Sequence, residues 1–263
     1  MKINIGFISD LHTKHLEWEN ILKETDQFGY ESSIKWDEMD LVCFTGDLSS
    51  RGSYRECFNF MDWFNKLPCQ KVMIAGNHDF FFDFELRSKQ PRFVREHQIH
   101  QQEEVDELLA EFPDIHYLND SGVNLFGLNI WGSPVTPWFH DWAFNRQRYT
   151  SLDGETDPET SDIITSHWEM IPKDTDILLT HGPPYGHGDL LSYRNRKSNQ
   201  CPRVGCKDIV PFIEEIRPKI HAFGHIHEAY GVTTDKYTEY INASCLNDSY
   251  DAINAPIFKT IHL

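Results

Sequence analysis

Five short polar clusters carry the residue types that do chemistry in this chain: Asp10-Leu11-His12, Gly46-Asp47, Gly76-Asn77-His78-Asp79, Thr180-His181-Gly182-Pro183 and Gly224-His225-Ile226-His227. Each follows a strand-like run. Carboxylate, amide oxygen and imidazole, without thiolate, are ligands for divalent ions such as Mn, Fe or Zn. Asp10 and His12 stand two apart at a strand end, so both side chains can reach one ion. Asp47 ends an apolar run, where a carboxylate is costly unless paired or metal-bound. Its two oxygens make it the natural bridge between two ions. His225 and His227, separated by Ile226, can reach two different ions from one loop. His181 is directed by the rigid Gly182-Pro183-Pro184 turn. Asn77 is a neutral ligand, and its neighbour His78 is badly placed to share its ion. His78 therefore reads as an acid facing the substrate, with Asp79 holding its other ring nitrogen. Each cluster taken alone has a plainer reading: a turn cap for Asp10, Asp47 or Asn77, a surface or strand-end histidine for the rest. The ordered set favours metal chemistry.

These clusters need strands to present them. Residues 3–8, 40–45 and 71–75 read as strands, the latter two apolar throughout, as in strands buried on both faces. Ser53 is a helix N-cap, with Tyr54, Cys57, Phe58 and Met61 at helical spacing behind it. Strand, helix, strand in this order predicts a parallel α/β sheet with right-handed crossovers. Val105, Leu108, Leu109 and Phe112 predict a helix stopped by Pro113. Strands follow at 123–131 and 176–180, a helix at Ile209, Val210, Ile213 and Ile216, and strands at 219–223, 237–242 and 257–262. The last two alternate, which suits an antiparallel edge or a half-solvated face. Segments 13–38 and 133–173 read as irregular, the second with an acidic loop from Asp153 to Asp162. Segments of that length are functional or disordered in compact domains. Trp138, Phe139, Trp142 and Phe144 read as a packed loop core. Both halves contribute ligands, so residues 1–263 are taken as one domain.

The net charge of -17 over 263 residues argues against long nucleic acid, which is held by phosphate neutralisation. It leaves room for a small phosphate ester, because two cations make one positive site on an acidic body. The six cysteines and the short, alternating apolar run at the N-terminus predict reduced thiols and a cytoplasmic protein. Cys43 and Cys57 read as core, and Cys201 to Cys206 lacks tight zinc-knuckle spacing. No run of 18 apolar residues predicts a membrane span. The remaining histidines, among them His15, His97, His100 and His221, read as surface or supporting residues. His140 and His187 lie in loops able to approach the site, and Arg203 reads as a phosphate contact.

The order Asp-x-His, Gly-Asp, Gly-Asn-His-Asp, His-Gly-Pro-Pro, Gly-His-x-His, from Asp10 to His227, resembles the calcineurin-like metallophosphoesterases. The segments Thr136–Phe139, Arg203–Cys206 and Tyr240–Ser244 are similar, more narrowly, to animal metallophosphoesterase-domain proteins related to class III cyclic-nucleotide phosphodiesterases. Some relatives carry Gly where His225 stands; this chain keeps the histidine. The resemblance implies a four-layer αββα sandwich with two mixed central sheets and ligands on loops at the C-terminal ends of strands. It implies one divalent ion on Asp10, His12, Asp47 and His227, and a second on Asp47, Asn77, His181 and His225. His78 would be the acid at the leaving group. The implied reaction is hydrolysis of a small phosphodiester, cyclic nucleotides first, by a hydroxide bridging two metals about 3.5–4 Å apart. A phosphomonoesterase, a protein phosphatase and a non-catalytic partner-binding scaffold are the alternatives.

Overall fold

In the computed structural model, residues 1–24, 34–83, 102–149, 163–193 and 200–263 are described. In chain order the strands are β1 (Lys2–Ile8), β2 (Leu41–Thr45), β3 (Gln70–Ile74), β4 (Ile115–Tyr117), β5 (Ser121–Leu125), β6 (Leu128–Ser133) and β7 (Thr136–Pro137). They continue with β8 (Asn145–Arg146), β9 (Ile177–Thr180), β10 (Ile220–Phe223), β11 (Gly231–Thr234), β12 (Glu239–Asn242) and β13 (Ile257–His262). The helices are α1 (His15–Glu24), α2 (Tyr54–Asn65), α3 (Gln102–Glu111), α4 (Thr165–Trp168) and α5 (Val210–Ile216).

Two mixed sheets result. The first has order β13-β1-β2-β3-β4, parallel except for the antiparallel edge strand β13. The second has order β11-β12-β10-β9-β6-β5, with antiparallel pairs only at its two ends. Side-chain alternation then builds four layers. Ile5, Phe7, Cys43, Val72 and Ile74 of the first sheet face Ile130, Ile177, Leu179, Ala222 and Ile241 of the second in one buried cluster. On the other side of the first sheet, Val42, Phe44 and Met73 pack under Trp18 of α1, Phe60 and Phe64 of α2, and Leu108 of α3. On the other side of the second, Trp131, Leu178 and Phe223 pack under Trp168 and Ile213. This is the expected αββα sandwich. A capping box starts α2, with Ser53 accepting from the Glu56 N–H and Glu56 accepting from the Ser53 N–H.

The sequence reading needs four adjustments. The strand expected over 123–131 is the hairpin β5–β6, turned by Phe126 and Gly127 with φ of 55° and 82°. Phe126 prolongs the apolar run, so hydropathy hides the turn. The strand expected at 237–242 is internal, between parallel β10 and antiparallel β11, not an edge. Segment 13–38 contains α1, which buries Trp18 and Leu22. Segment 133–173 contains the short β7–β8 ribbon and α4. Residues 153–162, His97 and His100 lie outside the described residues. All six cysteines are free. No helix among the described residues is long and apolar enough to cross a membrane.

His15 is buried rather than exposed. Its ring stands edge-on to Phe60 and beside Trp63, and its Nδ1 has no hydrogen-bond partner. Burial pushes the imidazole down to about 4, against the opposing pull of Glu19. The unfolded chain binds this proton near the ordinary histidine value of about 6.5. The folded state therefore loses stability as pH falls from about 6.5 toward about 4, and keeps it above that window. His15→Phe should remove this loss, so denaturation midpoints of the variant should gain on wild type between pH 7.5 and pH 5. A constant difference across that range would dismiss the account.

Candidate metal centre

The strand ends of both sheets meet in a set of loops locked to one another by backbone hydrogen bonds. Asp10 N–H donates to the Gly46 carbonyl at 2.9 Å, His12 N–H to that of Asp47 at 3.0 Å, and Gly224 N–H to that of His181 at 2.9 Å. Four of the candidate ligands take left-handed backbone: Asp10 (φ 53°), His12 (40°), Asp47 (59°) and His225 (69°). Non-glycine residues hold this conformation at a cost, and such residues cluster at functional sites. Two glycines make the packing possible. A Cβ at Gly76 would collide with the Asp47 carboxylate, and one at Gly224 with the Asp10 carboxylate.

The residues expected at the site come together, in overlapping groups: Asp10, His12 and His227; His12, Asp47 and His78; Asp47, His181 and His225. Asp47 Oδ2 lies 3.3 Å from His181 Nε2 and 3.6 Å from His12 Nε2, so it stands between two histidine groups. Asn77 Oδ1 is 2.9 Å from His181 Nε2. Asp10 Oδ1 is 3.4 Å from His227 Nε2. Outer contacts orient the rings. His181 Nδ1 donates to the Thr45 carbonyl at the end of β2, and His227 Nδ1 to the Asn247 carbonyl, each at 2.9 Å. A carbonyl only accepts, so the opposite nitrogen, Nε2, is the one aimed inward. Ser244 donates its hydroxyl to Asp10 at 2.8 Å.

The charges interlock. Burial alone would raise the Asp10 and Asp47 carboxyls; the imidazoles of His227 and His181 outweigh it and hold both well below the usual carboxylate range. Burial likewise opposes protonation of His181 and His227, and the same carboxylates overcome it and push both up to about 9. Desolvation holds His12 down to about 4 and His225 down to about 3. Two carboxylates thus lean on positive charge inside the protein. Divalent cations would supply that charge in place of those protons, and nitrogen and oxygen donors without thiolate suit them. The residues present fit such ions.

One expected contact is not made. Asp79 does not touch the His78 ring, whose Nδ1 bonds the Ser50 carbonyl at 2.9 Å. Asp79 instead lies fully buried beneath the loops. Its Oδ2 accepts from the N–H groups of Asp47, Leu48 and Gly76, and its Oδ1 accepts the N–H and hydroxyl of Ser49, over 2.7–3.2 Å. Arg203 is tied to buried Asp189 rather than turned to the centre. His187 stacks on Tyr240 at 3.7 Å and bonds Thr233, while His140 is exposed. The aromatic group divides: Phe144 is core, Trp142 packs on His78 at 4.3 Å, Phe139 on His225 at 5.0 Å, and Trp138 is exposed. Sequence reasoning missed the supporting carbonyls of Thr45, Ser50 and Asn247, and the ring of Tyr250. Carbonyl partners leave no side-chain signature.

Two outcomes follow from this geometry. Asp79→Ala would strand four buried N–H donors and should lower folding free energy by more than about 3 kcal/mol in denaturant titration. A loss under about 0.5 kcal/mol, the size of an ordinary surface change, would refute the organising role. Adding Mn, Fe or Zn at about 100 times its Kd should stabilise the chain by about 2.7 kcal/mol per site, reversed by chelator. Asp47→Asn should weaken that response most, because Asp47 serves both groups. No shift in melting temperature with any of the three ions would remove the metal reading.

Residues 3–229 match the calcineurin-like phosphoesterase family. The chain is 36% identical over 227 residues to human metallophosphoesterase domain-containing protein 1, covering 83% of this chain and 63% of that protein. It is 36% identical over 242 residues to a UPF0046 protein of Caenorhabditis elegans, covering 84% of this chain and 54% of that protein. The chain therefore spans between about half and two thirds of the length of these relatives. Among solved structures, a phosphopantetheinyl hydrolase from Mycobacterium tuberculosis aligns with a TM-score of 0.55 at 16% identity, covering 92% of this chain and 89% of that one. That likeness speaks for the fold alone. The strand-end loops, the buried carboxylates among histidines and the match over most of the length agree: the chain belongs to the calcineurin-like phosphoesterase family, which is metal-dependent.

Proposed function

We propose that this chain hydrolyses small phosphodiesters with two divalent ions, cyclic nucleotides being the first substrate class to test. The observation that carries the reading is Asp47, whose Oδ2 stands within 3.6 Å of His12 on one side and His181 on the other. Asp10, His12, Asp47 and His227 would hold one ion; Asp47, Asn77, His181 and His225 would hold the other. Bound ions supply Lewis-acid charge to phosphoryl oxygens and bring the pKa of water from 15.7 toward about 7. Manganese, iron and zinc all suit these donors.

The chain's own part in the chemistry centres on His78. Its backbone N–H donates to Asp47 Oδ1 at 2.8 Å, which fixes it beside the shared carboxylate. The Ser50 carbonyl takes Nδ1–H, and the ring is held between His12 at 4.6 Å and Trp142 at 4.3 Å. When the ring carries protons on both nitrogens, Nε2–H can pass its proton to the departing ester oxygen. Preference for diesters is supported by the likeness of segments 136–139, 203–206 and 240–244 to metallophosphoesterase-domain proteins, a group related to class III cyclic-nucleotide phosphodiesterases. Both halves of the chain serve one site, which supports reading 1–263 as one catalytic domain. Free thiols on all six cysteines support a reducing, cytoplasmic setting.

His78→Ala should lose about 10²–10⁴-fold in kcat on an alkyl diester, whose leaving group needs a proton, and far less on a p-nitrophenyl diester. Metal content should stay at the wild-type value. Undiminished turnover of the alkyl diester would remove His78 from proton transfer. Turnover of p-nitrophenyl phosphate exceeding that of bis(p-nitrophenyl) phosphate would favour a monoesterase instead.

A further inference from the structure

Tyr250 stands over the candidate site at odds with its own backbone. Its φ is 62°, a conformation that bulky side chains rarely take. The hydrogen bonds that build its loop do not use its side chain. The loop is built by Asn247, whose Oδ1 accepts from the N–H groups of Ser249 and Asp251 and whose carbonyl accepts from Tyr250 N–H. That same carbonyl accepts from His227 Nδ1, so one residue orients a candidate ligand and positions Tyr250. Lys14 Nζ holds the Tyr250 carbonyl at 2.9 Å. The Tyr250 ring then meets His12 at 4.9 Å and His227 at 5.1 Å, edge to face with both. Those two histidines are 3% and 8% exposed, while Tyr250 is 42% exposed. Its phenol oxygen has no hydrogen-bond partner among the described residues. A strained, half-exposed aromatic wall beside two candidate ligands has no folding task that a smaller residue would not do with less strain.

We propose that Tyr250 is a specificity-determining residue that packs its free ring surface on the ester group retained by the substrate, favouring phosphodiesters with a planar aromatic substituent there. This rests on the phosphodiesterase reading of that same site. The ring, not the hydroxyl, carries the selection.

The test keeps the leaving group constant. Phenyl p-nitrophenyl phosphate and methyl p-nitrophenyl phosphate release the same p-nitrophenolate and differ only in the retained group. Wild type should prefer the phenyl ester in kcat/KM. Tyr250→Gly, which relieves the backbone, and Tyr250→Leu, which keeps apolar bulk on His12 and His227, should each cut the phenyl-to-methyl ratio about threefold to tenfold, the scale of an aromatic contact. Tyr250→Phe should keep the ratio. Metal content and melting temperature are measured alongside, and Tyr250→Leu serves where Tyr250→Gly fails to fold. An unchanged ratio in Tyr250→Leu overturns the proposal and leaves the phosphodiesterase reading standing. So does a ratio lost equally in Tyr250→Phe, since that would assign selection to the hydroxyl. A wild-type chain that hydrolyses neither ester removes both.

Discussion

Three carboxylates, Asp10, Asp47 and Asp79, lie buried where the strands of two sheets end. A buried charge must be matched, and most of what surrounds these strand ends matches one of the three. Asp79 collects backbone N–H groups and so draws the loops after β2 and β3 into one unit. Asp10 takes the His225 N–H and the Ser244 hydroxyl, tying β1 to the loops after β10 and β12. Asp47 alone faces histidines on both sides. Asp79 is satisfied by four backbone N–H groups and the Ser49 hydroxyl, whereas Asp10 and Asp47 each also face imidazoles. The first organises, and the others are left for chemistry.

The two sheets share that task. The first sheet brings Asp10, His12, Asp47 and Asn77; the second brings His181, His225 and His227. Neither half is sufficient, because Asp47 needs partners from both. The bond from His181 to the Thr45 carbonyl crosses between the sheets and orients a candidate ligand by the neighbouring strand. The apolar layer of Ile5, Phe7, Cys43, Leu179 and Ile241 is therefore what sets the distance across the site. These side chains are fully buried, and protein interiors transmit small changes in volume.

Backbone strain sits in the same place. Left-handed torsions at Asp10, His12, Asp47 and His225 are held by the hydrogen bonds that zip the loops together. Strain of this kind persists only where the surroundings over-determine it. The loops bring the candidate ligand atoms of each group within 4.8 Å of one another. Acidic composition and a candidate cation site are compatible: the net charge is negative, and among the described residues buried imidazoles cluster around Asp10 and Asp47.

Residue types and spacing determined much by themselves. Polar clusters behind strand-like runs announced parallel strand pairing and the residues at the strand ends, because a strand buried on both faces shows as an unbroken apolar run and its exit as an abrupt polar turn. Spacing also indicated which residues approach one another from a single loop. It did not tell Asp79 from a partner of His78, since only the loop beneath shows which donors await its carboxylate. Nor did it reveal the β5–β6 turn, hidden by the apolar Phe126, or the part played by Thr45, Ser50 and Asn247 through their carbonyls. Tyr250 was equally silent, being distant in sequence from every cluster and brought over His12 and His227 by the return of the chain. Local pattern records what a residue can do; which groups face it depends on contacts between segments far apart in the chain, and those exist only once the two sheets have packed.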